Sequence, residues 1–240
     1  MARCWLMLAG MKRARPAATL ASDSADAADP PIPVQSVPAR VSYHHGNLRD
    51  ALVLRGIEIL DTQGFDALSL RQAARDVGVS QAAPLHHFDG KVGYLAAIAT
   101  QGFRLMFETR IRALRDLHDP RERLLSVMLA HLRFSMTHPA LYRVMFGAEV
   151  PEKAQFPELE QAATRSYGIL ETCVGDYLSH RNANLKLVRS ATLAAWTACH
   201  GLATVMADRS NAWDIVGKDD PLKIGHHVFS IFIAGLDHQP

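Results

Sequence analysis

The chain contains twelve histidines and three cysteines, the residue types that most often bind metals or take part in catalysis. Three histidine pairs are adjacent in sequence, at His44-His45, His86-His87 and His226-His227. Adjacent residues of a helix point to different sides, so these pairs make poor metal sites, and Cys199 beside His200 makes a poor catalytic pair. The sequence also lacks H-E-x-x-H, C-x-x-C and G-x-S-x-G motifs and a glycine-rich phosphate loop. We therefore expect no enzyme activity, no metal and no cofactor.

The segment from residue 69 to residue 91 has the pattern with the clearest chemistry. Ser69 followed by Gln72 is a capping box, which predicts the start of a short helix. Gly78 suits the end of that helix because glycine adopts a positive φ without a clash, and Ser80 then caps a second short helix that runs to about His87. Two short helices joined by a tight turn are typical of a helix-turn-helix, whose second helix enters the major groove of DNA.

The small and apolar residues of this segment fit the same motif. Ala74 is small enough for the second helix to cross closely over the first. Val79, Leu85 and Phe88 are expected to fill the wedge between the two helices.

Residues 43–91 resemble the DNA-binding domain of the TetR/AcrR family of bacterial regulators. The matching residues are Tyr43-His44-His45-Gly46-Asn47-Leu48-Arg49, the turn Ala74-x-x-x-Gly78-Val79-Ser80 and the ending His87-Phe88-x-x-Lys91. Two later stretches are similar to a subgroup whose C-terminal domain has a Trp-His-Gly signature. They are His138-Pro139-Ala140-Leu141-Tyr142-Arg143-Val144-Met145-Phe146-Gly147 and Trp196-x-x-x-His200-Gly201.

The resemblance implies a set of DNA contacts. Ser69 and Arg71 would meet a phosphate, His87 and Lys91 would hold the backbone, and the residues between them would face base edges. The full set is Tyr43, His44, Ser69, Arg71, Ser80, Gln81, Ala82, Pro84, Leu85, His86, His87 and Lys91. Leu85 departs from the family, which usually has a phosphate-binding Tyr there, so either His86 or His87 compensates or the affinity is lower. For His87 the alternative is a partly buried ring that packs under Phe88.

The resemblance also implies that the later helices bind a small effector and form a homodimer. Large, adaptable or aromatic residues that could surround an apolar ligand are Met128, Leu132, Met136, Tyr142, Met145, Phe146, Tyr167, Leu170, Cys173, Trp196 and His200. The alternative for each is a place in a helix-bundle core, with Trp196 and His200 organising that core. Small residues of one helix and apolar residues that the last helix is expected to expose form the predicted dimer interface: Ala191, Ala194, Ala198, Phe229, Phe232 and Ile233.

The elements that position these residues are helices. Apolar residues recur at helical spacing from residue 52 onward, and one stripe comprises Val92, Leu95, Ala96, Ala99, Phe103 and Met106. We find no alternating run bounded by turn signals, so the predicted fold is all-α. The expected organisation is a three-helix helix-turn-helix domain at 41–91 followed by a helical effector-binding and dimerisation domain at 92–240. Cys173 and Cys199 are expected to be small buried hydrophobes.

Residues 1–40 are expected to be disordered, because they are rich in Ala, Asp, Ser and Pro and offer little apolar surface to bury. Translation from Met11 rather than Met1 is left open. No apolar run approaches the roughly 20 residues that cross a bilayer. Three distant cysteines do not make a disulfide framework and fit a reducing compartment, so we expect a cytoplasmic protein.

The charge balance by itself points away from a nucleic-acid partner. The chain has 26 basic and 24 acidic side chains, and residues 40–91 hold six of each. Placement favours DNA nonetheless, since Arg71 and Lys91 fall at expected phosphate positions. The sequence therefore predicts a dimeric, effector-released regulator, more often a repressor than an activator in this family, that binds a near-palindromic operator. The alternative is an α-helical binding protein that has lost or weakened DNA binding.

Overall fold

The computed structural model describes residues 48–150, 152–207 and 219–237, and these residues form eight α-helices with no strand among them. The helices are α1 (Leu48–Gln63), α2 (Leu70–Val77), α3 (Gly90–Ala113), α4 (Pro120–Thr137), α5 (Pro139–Phe146), α6 (Pro157–His180), α7 (Val188–Ala207) and α8 (Pro221–Leu236). Short 3₁₀ helices lie at Phe65–Ala67, Ala83–His86, Lys153–Gln155 and Leu185–Leu187. The all-α prediction is confirmed. The predicted disordered tail at 1–40 lies outside the described residues.

Local signals in the sequence explain where the helices begin. Proline occupies the first turn of α4, α5, α6 and α8, where its missing N–H leaves no helical bond unmade. Asp119 caps α4 by accepting a hydrogen bond from the Glu122 N–H at 2.9 Å, and Asp220 caps α8 through the Leu222 N–H at 3.0 Å. These prolines and caps separate the successive helices of the chain.

The long helix α3 lies at the centre of the fold and packs against α1, α4, α5 and α6. Its glycines permit close crossings. A Cβ on Gly102 would lie 2.6 Å from the Met145 Sδ, so α5 could not approach α3 as closely if a side chain stood there. The Tyr94 hydroxyl of α3 donates to the Leu52 carbonyl of α1 at 2.7 Å. The predicted stripe of α3 is buried except for Val92, which is 40% exposed.

The last two helices bury faces that differ in part from the prediction. On α7 the buried residues are Ala191, Thr192, Ala195, Cys199 and Ala203, whereas Ala194 is exposed and Ala198 is half-buried. The expectation that α8 exposes Phe229 and Ile233 is wrong, since both are 0% exposed within the single chain, and Phe232 is half-buried. Small apolar residues of α7 occur on several of its sides, so their spacing alone did not determine which side faces the core.

Cys173 and Cys199 are unpaired and buried, in agreement with their prediction as small hydrophobes. Throughout the part of the chain that the structure describes, no group of three or more His, Cys, Asp or Glu is placed to hold a metal ion. In the same ranges no helix has both the length and the apolar character needed to cross a membrane.

Candidate functional site

The first turn of the motif has the predicted geometry. Ser69 caps α2 and its Oγ accepts from the Gln72 N–H at 3.5 Å, while Gly78 ends the helix with φ 82°. The Gly78 and Val79 N–H groups bond the carbonyls of Arg75 and Ala74, each at 3.0 Å, which is the usual closure of a helix by a left-handed residue. The Gln72 side chain does not turn back toward Ser69; its amide donates to the Asp76 carboxylate instead.

The second helix of the motif is shorter than predicted. Ser80 does cap it, through a hydrogen bond from the Ala83 N–H to the Ser80 Oγ at 3.2 Å. Instead of a helix that runs to His87, however, the chain forms one 3₁₀ helix at Ala83–His86. The N–H groups of Ala83, Leu85 and His87 each bond the carbonyl three residues earlier, which is the 3₁₀ pattern.

This tighter turn also reverses two predicted orientations. Pro84 is buried, so it is not available to meet a base edge as predicted. Leu85, which was expected to fill the wedge between the helices, is 65% exposed. Phe88 does occupy the wedge, and its ring meets the Tyr94 ring edge-on at a centroid distance of 5.0 Å. Val79 is half-buried.

The other predicted DNA-contact residues are all exposed, and we call this set the reading face. It comprises Ser69, Arg71, Ser80, Gln81, Ala82, Leu85, His86, His87 and Lys91. The exposure of His87 excludes the alternative in which its ring packs beneath Phe88. Tyr43 and His44 lie outside the described residues. The Nζ of Lys91 lies 6.0 Å from the Phe65 ring centroid.

The charged side chains of residues 40–91 differ in their partners, although their formal charges sum to zero. Arg55 bonds both Glu58 and Asp76, at 2.7 and 2.8 Å, and the hydrogen bond to Glu58 is the main effect that raises the pKa of Arg55. Neither Arg71 nor Lys91 forms an ion pair with another residue in the ranges described. Arg55 therefore neutralises Glu58 and Asp76, while Arg71 and Lys91 of the reading face are exposed and keep their charges unpaired.

A second cluster of polar side chains lies in the core beneath α5, and we call it the buried polar chain. The Arg110 guanidinium donates to the Ser166 carbonyl at 2.5 Å and to the His131 Nδ1 at 2.7 Å. The His131 Nε2 lies 2.8 Å from the Tyr142 hydroxyl, which in turn lies 2.6 Å from the His200 Nδ1. The buried polar chain thus joins helices α3, α4, α5, α6 and α7.

The protonation states of His131 and His200 follow from the geometry of the buried polar chain. Arginine only donates, so the His131 Nδ1 accepts and the ring is neutral with its proton on Nε2. Burial and then the Arg110 charge lower the pKa of His131 well below 6.5. The pKa of His200 is also lowered, first by burial and then by the Lys153 ammonium. A neutral His200 accepts the Tyr142 proton at Nδ1 and carries its own proton on Nε2.

Aromatic rings surround the His200 end of the chain. The rings of Trp196 and His200 stack at a centroid distance of 5.0 Å with an interplanar angle of 5°. Phe146 lies 5.0 Å from His200 and 4.6 Å from Tyr142. Trp196, Phe146 and His200 are half-buried, so this end lies closer to solvent than Arg110 does.

The predicted ligand residues divide between this cluster and the surrounding core. Buried members are Met128, Leu132, Tyr142, Met145, Leu170 and Cys173. Tyr167 is half-buried, and burial raises the pKa of its hydroxyl to about 12. Met136 does not fit the prediction, because it is 41% exposed and lies on the outer side of α4, one helical turn after the buried Leu132. The full burial of most of these residues agrees with the core alternative as well.

Sequence reasoning missed the most buried polar members of the chain. Arg110 is 2% exposed and His131 is 0% exposed. A signal was present for both. Arg110 continues the apolar stripe of α3 one turn beyond Met106, and His131 shares a helix face with Leu124 and Met128. A charged residue at a core position of an amphipathic helix is unusual enough to predict a buried polar site.

The polar and cation–π contacts between residues 48–91, which we call the reading domain, and the helices after α3 include the following three. The His138 Nδ1 lies 2.9 Å from the Asp61 Oδ2, and the Arg143 guanidinium lies 4.3 Å from the Phe65 ring centroid. Arg49 bonds Glu158 at 3.2 Å. The first two contacts involve α5 or the residue that caps it, so the same short helix contacts both the reading domain and the buried polar chain.

Comparison with known proteins gives a family similarity for the C-terminal part of the chain. Residues 124–219 match the family model described as the tetracyclin repressor-like C-terminal domain. This part of the chain therefore resembles the C-terminal domain of TetR-family regulators. The match agrees with the resemblance inferred from the helix-turn-helix residues, which lie outside the matched range, whereas the Trp-His-Gly subgroup stays a prediction. No curated protein matches the chain in sequence.

Several solved structures have the same fold. A protein of unknown function from Rhodococcus sp. RHA1 is 28% identical, with a TM-score of 0.69 over 83% of this chain and 100% of that one. A TetR transcriptional regulator from Streptomyces coelicolor is 18% identical, with a TM-score of 0.60 over 80% and 99% of the two chains. The TetR-family transcriptional regulator PfmR from Thermus thermophilus is 17% identical, with a TM-score of 0.53 over 76% and 97%. The last two likenesses concern the fold alone.

Proposed function

We propose that this chain is a TetR-family, ligand-responsive repressor that binds a near-palindromic operator as a homodimer and is released by a small, largely apolar effector. In this proposal residues 41–91 bind DNA and residues 92–240 bind the effector and dimerise. The observation that carries it is the reading face: nine of the predicted contact residues are exposed together around one helix-turn-helix. An exposed, unpaired Arg71 and Lys91 at its two ends would position the motif on phosphates.

The contacts proposed for the reading face have separable roles. Gln81 is exposed at the start of the second helical turn, where its amide would pair with an adenine edge. Lys91 would neutralise a phosphate and carry no sequence information.

Selection of bound oligonucleotides from a random pool, followed by mobility shifts, tests these roles. We expect Gln81→Ala to change the preference at one base position of each half-site. Lys91→Ala should weaken binding to all sequences alike and reduce the slope of log affinity against log salt by about one. Lys186→Ala, an exposed lysine in the turn before α7, is the matched control and should bind like the parent. Parent-like binding by both reading-face variants would contradict the assignment.

A homodimer is proposed from the outer sides of α7 and α8. Ile231 is 73% exposed, Val205 is 41% exposed and Val228 is 36% exposed, and Ala194 and Gly201 are exposed small residues of α7. Apolar helix faces of this kind suit a four-helix bundle made by two copies. These residues replace Phe229 and Ile233 of the sequence prediction, which the single chain already buries.

One observation favours a second candidate function, that of an α-helical binding protein without an operator. Leu85 is exposed on the reading face at the place where the family usually has a phosphate-binding Tyr, and leucine donates no hydrogen bond. Failure of the random pool to yield any enriched sequence, with the dimer intact, would favour this candidate.

A further inference from the structure

Leu85 is the largest apolar side chain of the reading face, and it is 65% exposed. A single exposed leucine on a protein surface is ordinary in itself. The position of Leu85 is what makes it informative, because it lies in the second helix of the helix-turn-helix, the element that enters the major groove of DNA. The chemistry of the groove therefore decides which group Leu85 can contact.

The 3₁₀ helix at Ala83–His86 holds Leu85 on the outside of the reading domain. Pro84 and Phe88 are buried, so these two residues supply the apolar contacts of this segment with the core. The Leu85 N–H bonds the Ala82 carbonyl at 3.1 Å, which fixes the backbone at Leu85. The fold thus leaves most of the Leu85 side chain in solvent, where it can pack against a partner.

Ala82 extends this apolar surface. Residues three apart in a 3₁₀ turn project to the same side, and Ala82 and Leu85 are both exposed. Their neighbours in sequence, Gln81 and His86, are exposed polar residues. The second helix therefore presents a small apolar surface with a hydrogen-bonding side chain at either end.

The base edges of the major groove offer one apolar group, the C5 methyl of thymine. The other edges present donors and acceptors that water satisfies in free DNA. Leu85 against one of those edges would displace water and return no hydrogen bond, which is unfavourable. A leucine at this place thus favours thymine and also disfavours the other bases.

A phosphate is an unsuitable partner for Leu85 for the same reason. Its charged oxygens would lose water without gaining a donor. Donors for phosphates are present elsewhere on the reading face, since Arg71 and Lys91 are exposed and form no ion pair within the described residues, and the ring of His87 is also exposed. Leu85 is therefore free to contact a base.

We infer that Leu85 determines specificity by packing on the C5 methyl of a thymine in each half-site, with Ala82 beside it. Leu85 thus contacts a base at the place where the family that the sequence resembles usually has a phosphate-binding Tyr. The inference rests on the proposed function, since it requires the reading face to enter the major groove. Four residues at about 2 Å each separate Leu85 from Gln81, so the thymine should lie within about three base pairs of the base that Gln81 contacts.

Replacement of thymine by deoxyuridine removes only the C5 methyl, and it tests the inference with the full-length protein. Each thymine of the operator selected from the random pool is replaced in turn, in both half-sites, and the affinity is measured by mobility shift. Loss of one buried methyl should weaken binding about fourfold, so we expect roughly tenfold to twentyfold weaker binding when the contacted thymine is changed in both half-sites. A parent that binds every deoxyuridine operator as tightly as the thymine operator would overturn the inference.

Variants assign the effect to Leu85. Leu85→Ala should bind the thymine and deoxyuridine operators within about twofold of each other, whereas Leu85→Met should keep most of the preference of the parent. Leu185→Ala, at a leucine that is 57% exposed in the turn before α7, is the matched control and should keep all of it. A purely structural defect weakens binding to both DNAs equally, so the ratio of the two affinities reports the methyl contact alone. Retention of the full preference by Leu85→Ala would overturn the inference.

Two further duplexes, alternating dA-dT and the same sequence with deoxyuridine, separate this inference from the proposed function. A preference of the parent for the dA-dT duplex that Leu85→Ala lacks supports the methyl contact even if the random pool yields no operator, in which case only the regulator proposal fails. Selection of an operator whose binding is indifferent to every thymine methyl leaves the regulator proposal standing and overturns the role of Leu85. Equal binding of the two duplexes with no operator selected would overturn both.

Discussion

Gly78 holds the turn of the helix-turn-helix with φ 82°, and an added Cβ would meet no atom within 4 Å. The cost of a side chain there is thus one of backbone conformation alone. We expect Gly78→Ala to lower the free energy of unfolding by about 1–2 kcal/mol, because a left-handed conformation is that unfavourable for residues with a Cβ.

Gly168 offers the matched control for this measurement. It lies inside α6, and its Cβ would likewise meet nothing within 4 Å. Gly168→Ala should raise the free energy of unfolding by up to about 1 kcal/mol, the difference in helix propensity. Urea denaturation of both variants checks the pair, and equal effects of the same sign would refute the conformational argument.

His131 makes the stability of the protein depend on pH. Its buried ring has a pKa well below 6.5 and stays neutral, whereas the same ring in the unfolded chain binds a proton near pH 6.5. Below that pH the unfolded state therefore binds more protons than the folded state. We expect the free energy of unfolding to fall as pH decreases from 7 to 5, by up to about 1.4 kcal/mol per pH unit for each such ring.

His131→Gln separates this effect from packing. A glutamine amide can accept from Arg110 and donate to Tyr142, yet it does not titrate. The variant should show a shallower loss of stability below pH 6.5 than the parent, measured by urea denaturation at a series of pH values. His226→Gln, at an exposed histidine of α8, should keep the slope of the parent. An unchanged slope in His131→Gln would disprove the assignment.

At the residue scale, the motif indicated most of the residues that are exposed in the helix-turn-helix. It did not indicate the positions that depend on the local backbone conformation of the second helix. The polar residues of the reading face were identified from the motif alone. Pro84 and Leu85 were not placed correctly, because a 3₁₀ turn has three residues per turn and presents different residues to the core than an α-helix does. Arg110 was overlooked although it continues an apolar stripe, since a stripe search counts only apolar residues.

At the element scale, the sequence predicted the helical class and contains the signals for several helix starts. Proline and capping residues mark the starts of α4, α5, α6 and α8 directly. The orientation of α7 was less predictable. Alanine and glycine occur on several of its sides, so periodicity gives no single apolar face, and the choice is made by contacts with α4, α6 and α8.

Helix α5 contacts the reading domain on one side and the buried polar chain on the other. The contacts on the reading side are weak individually, since His138–Asp61 and Arg143–Phe65 are both partly exposed. We expect the double variant Asp61→Asn, Phe65→Leu to speed amide hydrogen exchange in α5 and residues 64–68 by roughly twofold to fivefold, in line with the modest strength of such contacts.

Arg49→Gln provides the control for α5, because it breaks the Arg49–Glu158 ion pair at the other junction of the two domains. Exchange in α5 should stay at the parent rate in that variant. Faster exchange in α5 with Arg49→Gln, or none with the double variant, would show that α5 is not the element that holds the reading domain.

At the scale of the whole molecule, the outer side of α7 and α8 determines the assembly that we propose. Ile231→Asp would place a charge at the most exposed apolar residue of α8, so we expect it to convert the dimer to monomer in sedimentation at micromolar concentration. Leu185→Asp is the control, since Leu185 is 57% exposed in the turn before α7. A parent that sediments as a monomer would refute the dimer.

Helix α3 extends from the reading face to the buried polar chain. Lys91 of the reading face stands in its first turn and Arg110 of the buried polar chain in its last. About twenty residues at 1.5 Å each separate them by roughly 30 Å, so a tilt of only about 5° at one end moves the other by roughly 2.6 Å. The Tyr94 hydroxyl near the start of α3 bonds the Leu52 carbonyl of α1, so α1 would move together with this end of α3. A small tilt of α3 at Arg110 would therefore displace Lys91 by a distance comparable to a hydrogen-bond length.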